Sequence, residues 1–406
     1  MNLLKKARQL ADKFKIPQRG FNEDEFSERL LKAQILMEQY GLGCILLTSE
    51  SEVYYFTGFM TEFWQSPTRP WYVILPSRGK PIAVIPSIGE KLMSSCFVSD
   101  IITWMSPDGE DDGLSLLIKT IKGNINSTEK IGVMSGRETY LRMPLKDILT
   151  ISNTFGESRI FDITDGIQYL RMIKSEREIE KIRYICKKVS NVFTNFSEFL
   201  NVGIPLSEIF RQFKINCLNE GMDDVCYLVG AAGEGGYFDI IAPPSSQPIS
   251  NGDILMLDTG TKWDGYFCDF NRNFAIGNVE SEAERIHKIL YDSITLAAEM
   301  IKPYKKSMRD IFHTLNSFLK LENKSEDKAS ISVGRFGHGL GIQLTERPSI
   351  IEWDDTTVEP GMVLTLEPSL VYGEKKHLMV AEENILITNT GVEFLSSRWP
   401  RDLPNV

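Results

Sequence analysis

Residues 253–274 read DILMLDTGTKWDGYFCDFNRNF, two apolar β-type runs flanking a turn whose strongest signal is Asp264-Gly265. The first run carries Asp258 and the second carries Asp269. If residues 262–265 form the loop, Thr261 pairs with Tyr266 and Asp258 stands directly opposite Asp269. Cross-strand partners share a sheet face, with Cβ atoms roughly 5 Å apart. Two carboxylates so placed repel unless a proton or a metal ion lies between them. A solvated hairpin with one incidental acid per strand is the plainer alternative, and the rest of the chain decides between the two.

Three more groups tip the balance. His338 sits in GRFGHGLG, Glu367 in VLTLEP and Glu382 in VAEENILI, each within or beside an apolar run. Carboxylates in such runs need a compensating positive charge. No Lys or Arg occurs in 253–259, 361–368 or 378–388, so a bound cation is expected. Asp258, Asp269, Glu367 and Glu382 with a neutral His338 carry a charge of −4, which two divalent ions match.

The segments LDTGTKWDGYFCDFNRNF, GHGLG, VLTLEP and EENILIT resemble the pita-bread metallopeptidases, in the branch of creatinase, Xaa-Pro aminopeptidase and prolidase. The resemblance covers nearly the whole chain, and the first 150 residues are similar to that branch's N-terminal domain. It implies an α/β creatinase-like N-terminal domain over 1–165 and an α+β pita-bread catalytic domain over 166–406. It also implies a dinuclear centre held by Asp258, Asp269, His338, Glu367 and Glu382, with Asp269 and Glu382 bridging. The implied activity is a metal-dependent hydrolase of Xaa-Pro aminopeptidase or dipeptidase type, in which Glu367 exchanges the proton. Substrates are then small peptides or small molecules. Two divalent ions are expected as cofactors, and an oxygen-rich set with one imidazole suits Mn, Co, Fe or Zn. A homodimer is expected, in which the aromatic stretch from Tyr54 to Phe59, with Trp64 and Arg69, helps contact substrate in the neighbouring protomer; aromatics filling the first domain's own core are the plainer reading of the same stretch.

Departures from the family pattern concern the groups around the metals. Thr345 stands seven residues after His338, where those peptidases carry a histidine. Ile241 or Ala242 replaces a second histidine, and Val380 replaces an arginine two residues before Glu382. Glu346 and Arg347 are candidates to stand in at Thr345, although strand alternation aims only one of them into the pocket. A salt bridge at the rim is the plainer role for both. In GAAGEGGY, residues 230–237, the glycines suggest a flexible loop that brings Tyr237 to substrate. His287 and His313 fall in helical patterns, and His377, after Lys375 and Lys376, reads as surface. The losses leave two further readings. One is a non-peptidase of the same fold acting on a small onium or cyclic solute. The other is a metal-bound protein without turnover.

Composition narrows the class. At 406 residues the chain exceeds one core and divides into two domains. A net charge of −10 argues against nucleic-acid binding. No apolar run reaches membrane-spanning length. Six cysteines without CxxC spacing read as reduced thiols of a cytoplasmic protein. At the N-terminus, Leu3, Ala7, Leu10 and Phe14 share one helical face amid basic residues, without a signal-peptide core, and suit docking on this domain or a partner subunit. Buried strands are expected at CILLT, WYVIL, PIAVIP and KIGVMS, a linker over 160–173, and a long helix after the capping box Ser175-x-x-Glu178. Further helices are expected near 206–220, 281–301 and 307–321, the last two opened by serine caps.

Overall fold

Asn22 accepts a hydrogen bond from the Glu25 N–H at 3.1 Å, and Gly41 turns left-handed at φ 66°, so helix α1 runs from Glu23 to Tyr40. A computed structural model describes residues 16–66, 69–323 and 334–406. The N-terminal amphipathic segment lies outside the described residues. The chain forms two compact units that divide between Arg171 and Met172, where the sequence reading set the boundary at 165–166.

In the first unit α1 leads into β1 (Leu42–Leu47), α2 (Glu50–Thr57), β2 (Tyr72–Pro76), β3 (Ile82–Pro86) and β4 (Asp100–Trp104). Then come α3 (Leu114–Asn124), β5 (Lys130–Val133), α4 (Leu145–Phe155), β6 (Ile160–Asp162) and α5 (Thr164–Met172). The six strands form one mixed sheet, β4-β3-β2-β1-β5-β6, and the four expected strands all lie in it. β4 and β6 went unread because both are incompletely buried and lack a continuous apolar run. The expected linker is no linker: β6 pairs in parallel with β5, and α5 follows at once.

The second unit begins with α6 (Glu176–Phe196), opened by the complete Ser175–Glu178 capping box. Its Ile179, Ile182, Cys186, Val189, Phe193 and Phe196 are buried, as the 3,4 spacing requires. After α7 (Leu206–Asn219) come β7 (Asp224–Glu234), β8 (Asp253–Trp263), β9 (Tyr266–Phe267) and β10 (Phe270–Ala275). Here β8 lies between β7 and β10. Phe193 of α6 meets Phe213 of α7 and Phe270 of β10 at ring separations of 4.7 and 5.7 Å, which seats the helices on this sheet.

Next are α8 (Ser281–Met300), α9 (Met308–Asn323), β11 (His338–Gly339), β12 (Glu346–Ser349) and β13 (Val363–Leu366). β14 (Ser369–Tyr372), β15 (His377–Val380), β16 (Glu383–Ile387) and β17 (Val392–Phe394) complete the unit. A five-stranded sheet runs β12-β11-β13-β16-β17, and β14 pairs with β15. Leu290 and Ile294 of α8, Leu315 of α9, and Leu364 and Ile385 of the sheet share one buried cluster. Helices thus cover each sheet, which is the α+β arrangement expected. Ser307 opens α9 by accepting from the Asp310 N–H, whereas Glu280, not Ser281, occupies the N-cap position of α8.

Two local expectations are corrected. Residues 230–234 are strand, not loop. A side chain at Gly230 would lie 2.3 Å from the Met256 carbonyl, and one at Gly233 2.4 Å from the Gly236 carbonyl, so these glycines serve close backbone approach. His377 is buried, against Phe238 and Tyr372, rather than on the surface.

Candidate metal centre

Asp264 and Gly265 both take positive φ, 50° and 81°, and Trp263 pairs with Tyr266, so the hairpin closes on a two-residue turn. The same register puts Asp258 opposite Asn271, not opposite Asp269 as the longer loop required. The displacement is an even number of residues. Asp269 therefore keeps the face of Asp258 as its diagonal neighbour, where a slip of one would have turned it away.

Each remaining ligand candidate ends or begins a strand of the five-stranded sheet or its neighbour. His338 opens β11, Glu367 follows β13, and Glu382 precedes β16. His338 Nδ1 lies 2.8 Å from the Gly339 carbonyl, which only accepts, so Nδ1 carries the proton and Nε2 presents its lone pair. Nε2 sits 3.4 Å from Asp269 Oδ2 and 3.9 Å from Glu367 Oε1. Ligand atoms of Asp269, His338 and Glu382 all lie within 4.8 Å of one another. Asp258 stands on the same sheet face, as the diagonal neighbour of Asp269. Asp269, His338, Glu367 and Glu382 therefore come together, with Asp258 beside Asp269.

Electrostatics identify what the cluster lacks. Burial, followed by repulsion from Asp269 and Glu367, pushes the Asp258 carboxyl well above its usual range. Burial also raises Asp269, and burial with the neighbouring carboxylates raises Glu382. Glu367 is raised by burial against the opposing pull of His338 and Arg335. Asp258 Oδ1 and Glu382 Oε1 are buried without a hydrogen-bond partner. Unpaired oxygens, repelling acids and an imidazole lone pair together fit divalent cations.

The supporting contacts are polar and buried. Asn384 Oδ1 accepts from the Asp269 N–H at 2.9 Å, and Asn384 Nδ2 donates to the Asp269 carbonyl. Buried Arg272 donates from Nη1 to the Glu382 carbonyl at 2.8 Å and from Nη2 to Glu383 at 2.9 Å. Thr365 Oγ1 accepts from the His338 N–H at 3.0 Å. Gly337, at φ 153°, admits this approach, since a side chain there would stand 2.2 Å from the Thr365 carbonyl.

Other sequence candidates have different fates. Tyr237 is buried, its hydroxyl donating to Asn273 at 2.9 Å and accepting from the Val380 N–H at 2.9 Å, so it braces the sheet rather than meeting substrate. Glu346 is also buried, accepting from Lys174 Nζ and from the Gln343 N–H, each at 3.0 Å. It is a structural ion pair, not a free catalytic acid. Thr345 is exposed in the loop before it, and Arg347 is half-buried on β12. In the first unit Trp64 is buried beside Trp71 and under the Arg142 guanidinium, while Arg69 donates to the Ser106 carbonyl. Tyr54, Tyr55, Phe56 and Phe59 likewise fill that unit's core.

Sequence reasoning missed two groups at the centre. Arg335 Nε donates to Glu367 Oε1 at 3.2 Å and its charge is also felt at Asp269 and Glu382. The three-residue offset from His338 in GRFGHGLG was its only signal. Tyr227 shares the Asp258 face of β7 and β8, pairing with Gly260, and its phenol is raised by burial and then by all four acids. Nothing in its local sequence marks it.

Residues 180–389 match the model of metallopeptidase family M24, and residues 29–173 match the creatinase/prolidase N-terminal domain. An uncharacterized peptidase of Staphylococcus aureus is 26% identical over 86% of this chain and 93% of its own. A probable dipeptidase PepE of Mycobacterium bovis is 24% identical over 92% of this chain and 95% of its own. The crystal structure of prolidase from Thermococcus sibiricus superimposes with a TM-score of 0.82 at 25% identity, covering 94% of this chain and 99% of that one.

Proposed function

Because this chain belongs to metallopeptidase family M24, with a creatinase/prolidase N-terminal domain, we propose that it is a dinuclear-metal hydrolase cleaving an amide-type bond in an Xaa-Pro dipeptide or a related small metabolite. One observation carries the reading: Asp269, His338 and Glu382 offer ligand atoms within 4.8 Å of one another, and the buried Asp258 Oδ1 and Glu382 Oε1 have no hydrogen-bond partner. The relatives named as dipeptidase and prolidase support the substrate class.

Asp258, Asp269, His338, Glu367 and Glu382 would hold two ions. Bound there, divalent metals supply an acidified water and polarise the scissile carbonyl. The residues do the rest. The Gly339 carbonyl fixes the His338 tautomer. Glu367, with 20% of its side chain exposed and Arg335 donating to it, is the acid we assign to pass a proton to incoming substrate, although Asp258 is also only partly buried. Arg335, 34% exposed, steadies Glu367 and offers positive charge at the edge of the site. Mn, Co, Fe and Zn all suit the ligand set. A cytoplasmic homodimer is part of the proposal, and sedimentation as a monomer would contradict that part.

Thr345 and Val380 replace basic groups that would stabilise an oxyanion, so ordinary Xaa-Pro dipeptides should turn over slowly. A zwitterionic or onium-type solute is the second reading these replacements favour. The experiment is a comparison of wild type and Thr345→His on an Xaa-Pro dipeptide after metal loading, beside onium and cyclic solutes. A missing oxyanion donor costs about 10²–10³ in rate, so kcat/KM on the dipeptide should rise in the variant. Turnover confined to the small solutes, with no gain from Thr345→His, would replace the peptidase reading with the second.

A further inference from the structure

A cavity of ≈ 20 Å³ lies among Asn271, Arg272, His287, Glu382, Glu383 and Arg398. Among the residues lining it, four buried side-chain atoms have no hydrogen-bond partner: Arg272 Nε, Arg398 Nε, His287 Nδ1 and Asn271 Oδ1. Leaving such atoms unpaired is costly, so each calls for an explanation.

The neighbours fix the role of each atom. Arg272 spends Nη1 on the Asn271 and Glu382 carbonyls and Nη2 on Glu383 and the Ser397 carbonyl, which leaves the Nε–H as an unused donor. Arg398 gives Nη2 to the Tyr291 carbonyl and Thr295, while its Nε is 3.7 Å from Glu383, beyond hydrogen-bond range. His287 Nε2 lies 3.0 Å from the Pro400 carbonyl, so Nε2 holds the proton and Nδ1 is a bare acceptor. Asn271 Nδ2 donates to the Val380 carbonyl at 2.9 Å, leaving Oδ1 to accept.

We propose that this cavity is a site for a single water molecule, which accepts from Arg272 and Arg398 and donates to His287 and Asn271. Two donors and two acceptors are the complement of one water. An anion would leave the two acceptors unsatisfied, and a cation would face two guanidinium groups. Volume agrees, because one ordered water needs about 10–15 Å³ on this scale and 2–4 polar partners. The water ties β10, α8 and the C-terminal segment together through Arg272, which also holds the Glu382 carbonyl.

The test is high-resolution diffraction from wild-type crystals, with a parallel bromide soak. One solvent peak within about 2.7–3.2 Å of both Arg272 Nε and His287 Nδ1, without bromide anomalous signal, is expected. An empty cavity, or an anomalous bromide peak, would overturn the proposal. His287→Leu removes one acceptor and should lose the peak, and a peak that persists unchanged in that variant would also overturn it.

Discussion

Asn384 grips the backbone of Asp269 from both sides, accepting its N–H at 2.9 Å and donating to its carbonyl. The Asn384 N–H is in turn held by Ser396 Oγ at 2.9 Å, and the whole arrangement is buried. Asn384→Ala should cost about 1–3 kcal/mol by leaving two backbone groups unpaired. It should also weaken metal affinity about 10–100-fold, as loss of a ligand's supporting partner does. Urea unfolding and competitive chelator titration measure the two effects, and unchanged affinity would show that Asp269 needs no such support.

The pH dependence of the metal-free protein follows from the acids. Burial raises Asp258, Asp269 and Glu382 above their unfolded values, which lie near 4. Between the unfolded and folded values the native state binds more protons, so stability present at low pH is lost as pH rises. Chelator-treated protein should therefore show a falling Tm from about pH 5 upward. Metal loading should reverse the trend, because the ligands bind deprotonated. Thermal melts with and without chelator across that range check both signs, and a chelated Tm that rises with pH would contradict the buried-acid picture.

Lys174 and Glu346 form a buried ion pair at 3.0 Å. Lys174→Met strands the carboxylate and should destabilise by about 3–5 kcal/mol. Adding Glu346→Leu should recover most of that loss, and metal content should be retained in the double variant. A double-mutant cycle in urea with metal analysis reads this out. Loss of the metals from the double variant would restore Glu346 to the centre itself.

The five candidate ligands were legible because each is an acid or imidazole set in an apolar strand run, which few structural roles tolerate. The hairpin register was legible only to parity: Asp264-Gly265 marked the turn, but the sequence does not state its length, and an error of two residues leaves the face unchanged. Asn384 and Arg272 were hidden because their partners lie 115 and 110 residues away. Arg335 was hidden because the charge inventory covered only the ligand strands themselves. Glu346 and Tyr237 were overread, since adjacency to a motif says nothing of burial. Lys174 lies 172 residues before Glu346, and Tyr237 is closed in by Asn273 and Val380.

Anomalous diffraction from manganese-loaded crystals tests the dinuclear centre most directly. The account expects two peaks, one reached by Asp258 and one by His338, with Asp269 and Glu382 touching both ions. Asp269→Ala should remove both. A single peak confined to Asp269, His338 and Glu382, with Asp258 Oδ1 left uncoordinated, would contradict it.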